Sequence, residues 1–401
     1  MEADLTIVEG RGSYLIDDRR RRYLDFVSGY GVAALGHGHP HWANAVAEQA
    51  RNLCVSPFHN PVREEYLMRL AEVLPPGLTR TALFSGGAEA VEAALRLTQR
   101  ATGRNAVLAF DSAFHGKTVG VRFAGGDHKE ERSGVGVSWL RHAPYPACRS
   151  HSASHYDECR ESPERLLREL VRRRDLADVG SVIVEPVLGT AGNIPPQRHF
   201  LSGLRSVCDE RGWLLVFDES QTGFGRTGPM FASDLFGVVP DVLVAGKGMG
   251  AGFPIGGVAA SSELWASAAL DRPSATSSSF GGNPLACAAG IAVLDVLAQP
   301  SFGSDATRVG SILAAGLDQL AAVSPHVGWS RGVGMMLGFD LVDPQTGEPA
   351  GRERCRSIFR RCRDSGLLLA ADVPQVRLSP PLNLSDEEAG RALEILFEVL
   401  A

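Results

Sequence analysis

Four short, uninterrupted apolar runs constrain the fold of this chain more than any other feature of its sequence. They span residues 106–110, 181–184, 214–217 and 241–245. Apart from Ser181 and Asp241 at their first positions, the residues of these runs are all apolar, which is typical of parallel strands buried on both faces of a sheet. Segments with helical periodicity, such as 64–73 and 89–99, alternate with these runs. This alternation predicts an α/β fold with a mostly parallel central sheet.

Polar side chains follow three of these runs at the point where each run ends. Glu185 follows the second run, Asp218 and Glu219 follow the third, and Lys247 follows the fourth. Ligands of open α/β sheets bind beyond the carboxyl ends of the strands. A solvated strand end would explain a polar residue after one run, but polar residues after three runs favour a binding site at one edge of the sheet.

The last hundred residues predict a second, smaller α+β domain. Helices are expected near residues 307–322, 352–364 and 386–400, and Ser385 is a suitable N-cap for the last of them. The N-terminal segment contains short strands and turns that would complete this domain. The predicted division is an N-terminal segment joining the small domain, a large domain that binds the ligand, and a C-terminal small domain, at residues 1–42, 43–290 and 291–401.

Lysine is so rare that any lysine chemistry must use one of three residues, Lys117, Lys129 or Lys247. Lys129 lies in a charged stretch and is typical of a surface side chain. Lys247 follows an apolar run and stands between two glycines, which allow a ligand to approach the backbone closely. Apolar surroundings favour the neutral amine, so Lys247 is a candidate nucleophile for Schiff-base formation.

Two further features suit a cofactor with a ring nitrogen and a phosphate. Asp218 ends a buried run and needs a cationic partner. A protonated pyridine nitrogen would be such a partner, and its protonation makes the ring an electron sink. Gly86 and Gly87 precede an alanine-rich helix whose first amides could bind a phosphate. Taken alone, this glycine pair also fits an ordinary capped helix.

Several long motifs in a fixed order resemble the class III, fold-type I aminotransferases, which include the ornithine, acetylornithine, 4-aminobutyrate and putrescine aminotransferases. The resemblance runs from residues 23–26 to residues 377–382. Its motifs are residues 35–40, 84–95, 114–116, 185–186, 218–228, 245–247 and 280–289. The resemblance implies pyridoxal phosphate (PLP) as cofactor. It also implies transfer of an amino group from an amine or amino acid to an oxo acid or aldehyde.

The resemblance also implies roles for single residues. Lys247 would hold the cofactor as a Schiff base and shuttle a proton, and Asp218 would bind the pyridine nitrogen. Gln221 would lie near the phenolic oxygen and Phe114 would stack on the ring. His115 and Glu185 belong to the matched motifs and are expected at the cofactor.

The phosphate would be bound across a subunit interface. Gly86, Gly87 and Ala88 would surround it with backbone amides. Ser279, next to Ser278, takes the place of a family threonine that reaches the phosphate from the neighbouring subunit. A homodimer with a shared site is therefore implied.

Three departures from the family pattern, and one further residue, Tyr30, concern the pocket. Lys117 replaces an arginine that binds a carboxylate in the amino-acid-specific members. Lysine cannot form the same planar bidentate pair. Putrescine-type members share this lysine, which favours an amine or amino-aldehyde substrate. Residues 188–192 lack the family glutamate that pairs with the arginine matching Arg377. We therefore hypothesise that Arg377 binds an α-carboxylate. Ser220 replaces a valine at the ring face, and Tyr30 is expected to narrow the pocket.

Other enzymes with this fold and cofactor stay open as alternatives, namely racemases or epimerases, aminomutases and a decarboxylase. A cofactor-binding scaffold without turnover is disfavoured because the chain has Lys247, Asp218 and the phosphate segment. The G-x-G-x-x-G pattern at residues 223–228 runs into Pro229 instead of opening a helix. A P-loop at 116–118 is excluded by Asp111 at the position of its first glycine. A zinc site is disfavoured because its four candidate ligands lie in a polar stretch, namely Cys148, His151, His155 and Cys159.

The bulk composition excludes some classes of partner. The net charge of −6 disfavours a nucleic-acid-binding protein. Residues 1–4 show no secretory signal, and no apolar run approaches the length of a membrane span. The seven cysteines are an odd number without a repeating spacing, which favours free thiols and a cytoplasmic protein.

Overall fold

The computed structural model describes residues 5–125, 137–147, 163–272, 274–370 and 373–401. Lys129 and the four candidate zinc ligands lie outside these residues, namely Cys148, His151, His155 and Cys159. The strands are, in chain order, β1 (Ile7–Arg11), β2 (Tyr14–Asp17), β3 (Arg22–Asp25), β4 (Arg80–Phe84), β5 (Ala106–Phe110), β6 (Leu140–Ala143), β7 (Val179–Val184), β8 (Leu214–Asp218), β9 (Val242–Ala245), β10 (Gly256–Ala260), β11 (Val327–Val333), β12 (Met336–Leu341), β13 (Leu367–Leu368) and β14 (Gln375–Leu378).

The helices alternate with the strands over most of the chain. In chain order they are α1 (Ser28–Gly31), α2 (Pro40–Asn52), α3 (Pro61–Val73), α4 (Gly87–Thr102), α5 (Val119–Arg122), α6 (Glu164–Arg172), α7 (Phe200–Arg211), α8 (Ala232–Phe236), α9 (Ser262–Ser267), α10 (Pro284–Leu297), α11 (Pro300–Val323), α12 (Arg352–Asp364) and α13 (Asp386–Leu400). Among the described helices, none has by itself the length and apolar content of a membrane span; α10 and α11 reach them only as a pair bent by 76°.

The central sheet has seven strands in the order β4-β10-β9-β8-β7-β5-β6. The four apolar runs of the sequence form β5, β7, β8 and β9, and these strands pair in parallel. β10 pairs antiparallel with both β4 and β9, so it is the one strand of the seven that runs opposite to the others. The prediction of a mostly parallel α/β sheet is therefore confirmed.

Both faces of this sheet are buried, which explains why β5, β7, β8 and β9 carry apolar residues at consecutive positions. Along β5, Leu108 belongs to one hydrophobic cluster and its neighbour Val107 to another. Along β7, Val182 and Ile183 are divided between the same two clusters. Successive side chains of a strand point to opposite faces. Helices therefore cover the sheet on both sides.

Two small sheets bring the ends of the chain together. In the first, β1, β2 and β3 are joined by β13, which pairs in parallel with β3. The second contains β11, β12 and β14. Leu24 and Phe26 pack in one hydrophobic cluster with residues of α11, α12 and α13. The N-terminal strands thus share a core with the last hundred residues.

The topology brings the ends of four strands to one edge of the central sheet. β7, β8 and β9 are parallel, so Glu185, Asp218 and Lys247 follow strands that end at the same edge. β4 also ends there, because it is antiparallel to β10, which is itself antiparallel to β9. Only two residues separate the end of β4 from the start of helix α4. A helix start and three polar side chains are therefore placed close together.

Candidate active site

Lys247 lies at the centre of this edge. It opens a short 3-10 turn after β9, and its φ of 41° is in the left-handed region. Its Nζ donates a hydrogen bond to Oε1 of Gln221 over 3.0 Å. Burial lowers the pKa of Lys247, although the carboxylates of Glu185 and Asp218 act in the opposite direction. The amine therefore loses its proton more readily than an exposed lysine does.

Asp218 is a buried carboxylate that stays ionised because of its neighbours. Nδ1 of His115 donates to Oδ2 of Asp218 over 2.8 Å, and the backbone amide of Ser220 donates to Oδ1 over 3.0 Å. Burial acts to raise the pKa of Asp218, but the hydrogen bonds from His115 and Ser220 and the charge of His115 together bring it below its ordinary value. The chain thus holds an anion at the end of β8.

Glu185 uses both carboxylate oxygens to fix the backbone around the site. Its Oε1 accepts from the amide of Phe114 over 2.8 Å, and its Oε2 accepts from the amide of Gly189 over 3.0 Å. Burial raises the pKa of Glu185, against the influence of His115. This carboxylate therefore connects the loop after β5 with the loop after β7.

Glu219 lies outside the lysine cluster, contrary to the expectation that both carboxylates after β8 belong to one site. Its buried carboxylate accepts hydrogen bonds from the amides of Ala232 and Ser233 and from the hydroxyl of Thr222, over 2.6, 2.8 and 2.9 Å. Burial raises the pKa of Glu219 to about 7. Glu219 thus holds the start of α8, and only Asp218 of the pair belongs to the lysine cluster.

The start of α4 provides amides without partners. Gly86, the N-cap, is in extended conformation and has no side-chain cap, and a Cβ built on it would meet nothing within 4 Å. The first amides of a helix have no intrahelical acceptor. The loop after β5 packs closely against this helix start, because a Cβ on Gly116 would lie 2.7 Å from the Cβ of Ala88. A helix start of this kind binds anions such as phosphate.

Arg377 brings a cation to the site from β14. Its Cζ lies 5.2 Å from the centre of the Tyr30 ring. Burial lowers the pKa of Arg377, and its charge acts on Lys247. No carboxylate of the described residues forms a salt bridge with it. Tyr30 lies in α1, whose residues have left-handed φ values, and Asp25 holds this turn by accepting from the amides of Val27 and Ser28.

The other predicted residues lie at the surface of the single chain. Lys117 is exposed and forms no ion pair within the part of the chain that the structure describes. Ser278 is partly buried and Ser279 is exposed, in the segment that precedes α10. Across the described residues, no group of three or more His, Cys, Asp or Glu side chains is placed to hold a metal ion.

Two residues at the site were missed by the sequence analysis. A Cβ on Gly189 would lie 2.2 Å from Oε1 of Gln221, so only glycine fits there without moving that side chain. Arg226 is buried, and its Nη1 donates to the carbonyl oxygens of Met335 and Pro380, which lie in the C-terminal part of the chain. The signal for Arg226 was its place in the glycine-rich motif 223–228.

The groups that converge here suit PLP. Lys247 provides an amine of lowered pKa for an aldehyde, and Asp218 provides an anion for a protonated ring nitrogen. The uncapped start of α4 provides amides for a phosphate. The distances and the open space at Gly86 therefore agree with the cofactor that the motifs imply.

Comparisons with known proteins give one consistent family. The family model for class III aminotransferases matches residues 1–400. An acetylornithine aminotransferase of Bordetella pertussis is 35% identical over 409 residues, which cover 99% of this chain and 95% of that protein. The 5-aminovalerate aminotransferase of Pseudomonas aeruginosa is 34% identical over 391 residues, with 95% and 90% coverage. A solved omega transaminase of Pseudomonas jessenii in complex with PMP has 25% identity and a TM-score of 0.88, with 98% and 91% coverage.

Proposed function

The chain belongs to the class III aminotransferases, and we propose that it carries out its reaction in the cluster around Lys247. It has the fold-type I architecture and moves an amino group with PLP as cofactor. Its substrates are amino acids or amines and oxo acids. The observation that supports this location is the convergence of the Lys247 amine, the Asp218 carboxylate and the uncapped start of α4 at one edge of the sheet.

Five side chains would hold the cofactor ring. Lys247 would bind it covalently through Nζ, and Asp218 would bind the ring nitrogen. Gln221, which contacts the lysine amine, would lie near the phenolic oxygen. Phe114 and Ser220 would contact the two faces of the ring. His115 and Glu185 would support this set, since they bind Asp218 and the amide of Phe114.

A second subunit would complete the phosphate site. The amides at Gly87 and Ala88 would bind the phosphate from one chain, and Ser279 with Ser278 would reach it from the other chain. The support for a homodimer is the exposure of large apolar side chains: Phe280, next to Ser279, is 66% exposed, and Phe58 is 78% exposed. A second subunit would cover these side chains.

When bound, PLP supplies an electron sink that acidifies the carbon–hydrogen bond beside the substrate nitrogen. Asp218, ionised through its contacts with His115 and Ser220, would keep the proton on the ring nitrogen. Nζ of Lys247 has a lowered pKa and would take the proton from the substrate carbon and deliver it to C4′ of the cofactor. Glu185 would keep the surrounding loops in place during this transfer.

The substrate pair would combine a carboxylate and a terminal amine. Arg377 forms no salt bridge with a described residue, so it would bind the carboxylate of one substrate. Exposed Lys117, in place of a family arginine, suits an amine or amino-aldehyde as the other substrate. The relatives are named for acetylornithine and 5-aminovalerate, which both carry a terminal amine. No observation favours the racemase or aminomutase alternatives.

The proposal also covers the division into domains and the cellular compartment. Residues 1–42 would join residues 291–401 in the small domain, because their strands share a sheet and a hydrophobic cluster. Residues 43–290 would form the cofactor-binding domain. We place the enzyme in the cytoplasm because no disulfide joins its described cysteines, namely Cys54, Cys208, Cys287, Cys355 and Cys362.

A half-reaction screen tests the site and the substrates together. Amines and amino acids are added one at a time to the PLP form, and conversion to the pyridoxamine form is followed by absorbance. We expect conversion with donors that carry a terminal amine, and no conversion in the variant Lys247→Ala. The proposal is wrong if Lys247→Ala converts donors at the wild-type rate. Loss of chirality at the donor carbon without formation of an oxo product would favour a racemase instead.

A further inference from the structure

One hydroxyl at the site has no hydrogen-bond partner. Oγ of Ser220 is buried, and no atom of the described residues meets hydrogen-bond geometry with it. Buried polar atoms are nearly always paired, so an unpaired one calls for a ligand or another explanation. The backbone amide of Ser220 is already used, since it donates to Oδ1 of Asp218. The free group is therefore the hydroxyl alone.

The hydroxyl lies where three elements meet at the sheet edge. A Cβ on Gly87, the first residue of α4, would lie 3.3 Å from Oγ of Ser220. A Cβ on Gly246, next to Lys247, would lie 3.5 Å from the same oxygen and 3.5 Å from Cα of Gly87. A Cβ at Gly87 would thus crowd the hydroxyl, whereas a Cβ at Gly246 would be in ordinary contact with it. Ser220 is packed against the helix start that offers free amides.

Two acceptors are near enough to be considered for this hydroxyl. One is the carboxylate of Asp218, and the Ser220 side chain contributes to the lowered pKa of Asp218. That carboxylate already accepts from Nδ1 of His115 and from the amide of Ser220. The other is an anion bound at the start of α4, where no side chain competes. A hydrogen bond to an ionised acceptor is shorter and stronger than one between neutral groups.

We propose that the Ser220 hydroxyl donates a hydrogen bond to the cofactor phosphate and acts together with the amides at the start of α4. This inference rests on the proposed function, because it requires the phosphate to be bound at Gly87 and Ala88. Ser220 is then a specific determinant of phosphate affinity in this chain. Apolar contact with the ring is not its main contribution.

The test compares two probes that bind without a covalent bond and differ only in the phosphate. The dissociation constants of pyridoxamine phosphate and of pyridoxamine are measured by calorimetry with the apoenzyme of the wild type and of Ser220→Ala. We expect Ser220→Ala to weaken binding of pyridoxamine phosphate about tenfold. We expect binding of pyridoxamine to change less than about twofold. The phosphorus NMR signal of bound pyridoxamine phosphate should also shift between the two proteins.

Ser181→Ala is the matched control, because Ser181 is a buried serine of β7 whose Oγ pairs with the Oγ1 of Thr98 in α4. It should leave the ratio of the two dissociation constants unchanged. Equal weakening of both probes by Ser220→Ala would assign the hydroxyl to Asp218 or the ring and overturn the inference. Unchanged binding of both probes would also overturn it. A wild-type protein that binds neither probe would instead overturn the proposed function.

Discussion

Asp218 and Glu219 are adjacent in the chain, but their buried carboxylates bind different parts of the protein. Asp218 accepts from His115 and the amide of Ser220, whereas Glu219 accepts from the amides of Ala232 and Ser233. Strand residues alternate in direction, so neighbouring side chains at a strand end point to opposite sides. One carboxylate therefore belongs to the lysine cluster and the other to the start of α8.

This division predicts different consequences for two conservative variants. Asp218→Asn removes the anion that would stabilise the ring proton, so we expect the half-reaction to slow by at least about 100-fold. Glu219→Gln removes a carboxylate outside the cluster, so the rate per bound cofactor should stay within about threefold of the wild type. Single-turnover absorbance measurements on both variants test this. Comparable slowing in the two variants would contradict the division.

The pKa of Glu219 predicts a pH dependence of stability. Burial raises the pKa of Glu219 to about 7, so the folded chain binds this proton more tightly than the unfolded chain does. Ionisation of Glu219 therefore costs stability as the pH rises from about 4.5 to about 7. A glutamine side chain does not ionise, so Glu219→Gln should gain stability relative to the wild type over this window, by roughly 3 kcal/mol at most.

Thermal unfolding of both proteins at pH 5 and pH 8 measures this difference. The midpoint of Glu219→Gln relative to that of the wild type should be higher at pH 8 than at pH 5. The variant also loses an acceptor for one of three donors, which lowers its stability by a similar amount at both pH values. A difference in midpoint that does not change with pH would show that Glu219 has an ordinary pKa.

The contact between Gln221 and Lys247 predicts how a charge would affect cofactor loading. Oε1 of Gln221 lies 3.0 Å from Nζ of Lys247, so Gln221→Glu would place a carboxylate next to the amine. An opposite charge this close raises the pKa of a lysine. Less neutral amine would be present at pH 7. We expect the pH profile for recovery of the coloured holoenzyme from apoenzyme and PLP to move up by about one pH unit. Gln299→Glu, at the exposed start of α11, should leave the profile unchanged; a profile that does not move in either variant rules out the effect.

The sequence predicted those elements whose signal is local. The continuous apolar runs identified β5, β7, β8 and β9 because both faces of the sheet are covered. Ser385 marked the start of α13. Its side chain accepts a hydrogen bond from the amide of Glu388, and the side chain of Glu388 accepts one from the amide of Ser385. Capping of this kind depends on residues three apart, so it can be recognised without the fold.

Features that depend on distant parts of the chain could not be predicted. β10 contains two glycines, which are poor strand formers. Gly256 is nevertheless required, since a Cβ there would lie 2.5 Å from the carbonyl oxygen of Gly86. The direction of Glu219 depends on amides 13 and 14 residues further on, and the ring of Tyr30 covers Arg377 across 347 residues. None of these contacts leaves a pattern in the local sequence.

Gly189 gives a prediction that separates function from stability. In Gly189→Ala the new Cβ would lie 2.2 Å from Oε1 of Gln221, which is the mobile end of that side chain. Gln221 can move away, but it would then lose its contact with Lys247. We expect the half-reaction to slow by about tenfold or more, with a midpoint of unfolding close to that of the wild type. Gly303→Ala, where a Cβ meets nothing within 4 Å, is the control and should change neither quantity by much.

Arg377 gives the prediction that bears most directly on the substrate. Its guanidinium is partly buried under the ring of Tyr30, its pKa is lowered by burial, and it forms no salt bridge with a described residue. A carboxylate bound to it would form charge-assisted hydrogen bonds. We expect Arg377→Ala to weaken binding of carboxylate substrates by about 10- to 100-fold. Amine substrates without a carboxylate should bind as they do to the wild type.

The control for this variant is Arg22→Ala. Arg22 also lies over a tyrosine ring, with its Cζ 4.2 Å from the centre of Tyr14, but it belongs to the N-terminal sheet. Half-reaction rates measured at several concentrations of each donor give the affinities for both variants. If only Arg377→Ala distinguishes donors with a carboxylate from donors without one, Arg377 is the carboxylate site. This role is refuted if Arg377→Ala leaves the affinity for every carboxylate substrate unchanged. The carboxylate would then have to be bound elsewhere, and exposed Lys117 is the next cation to test.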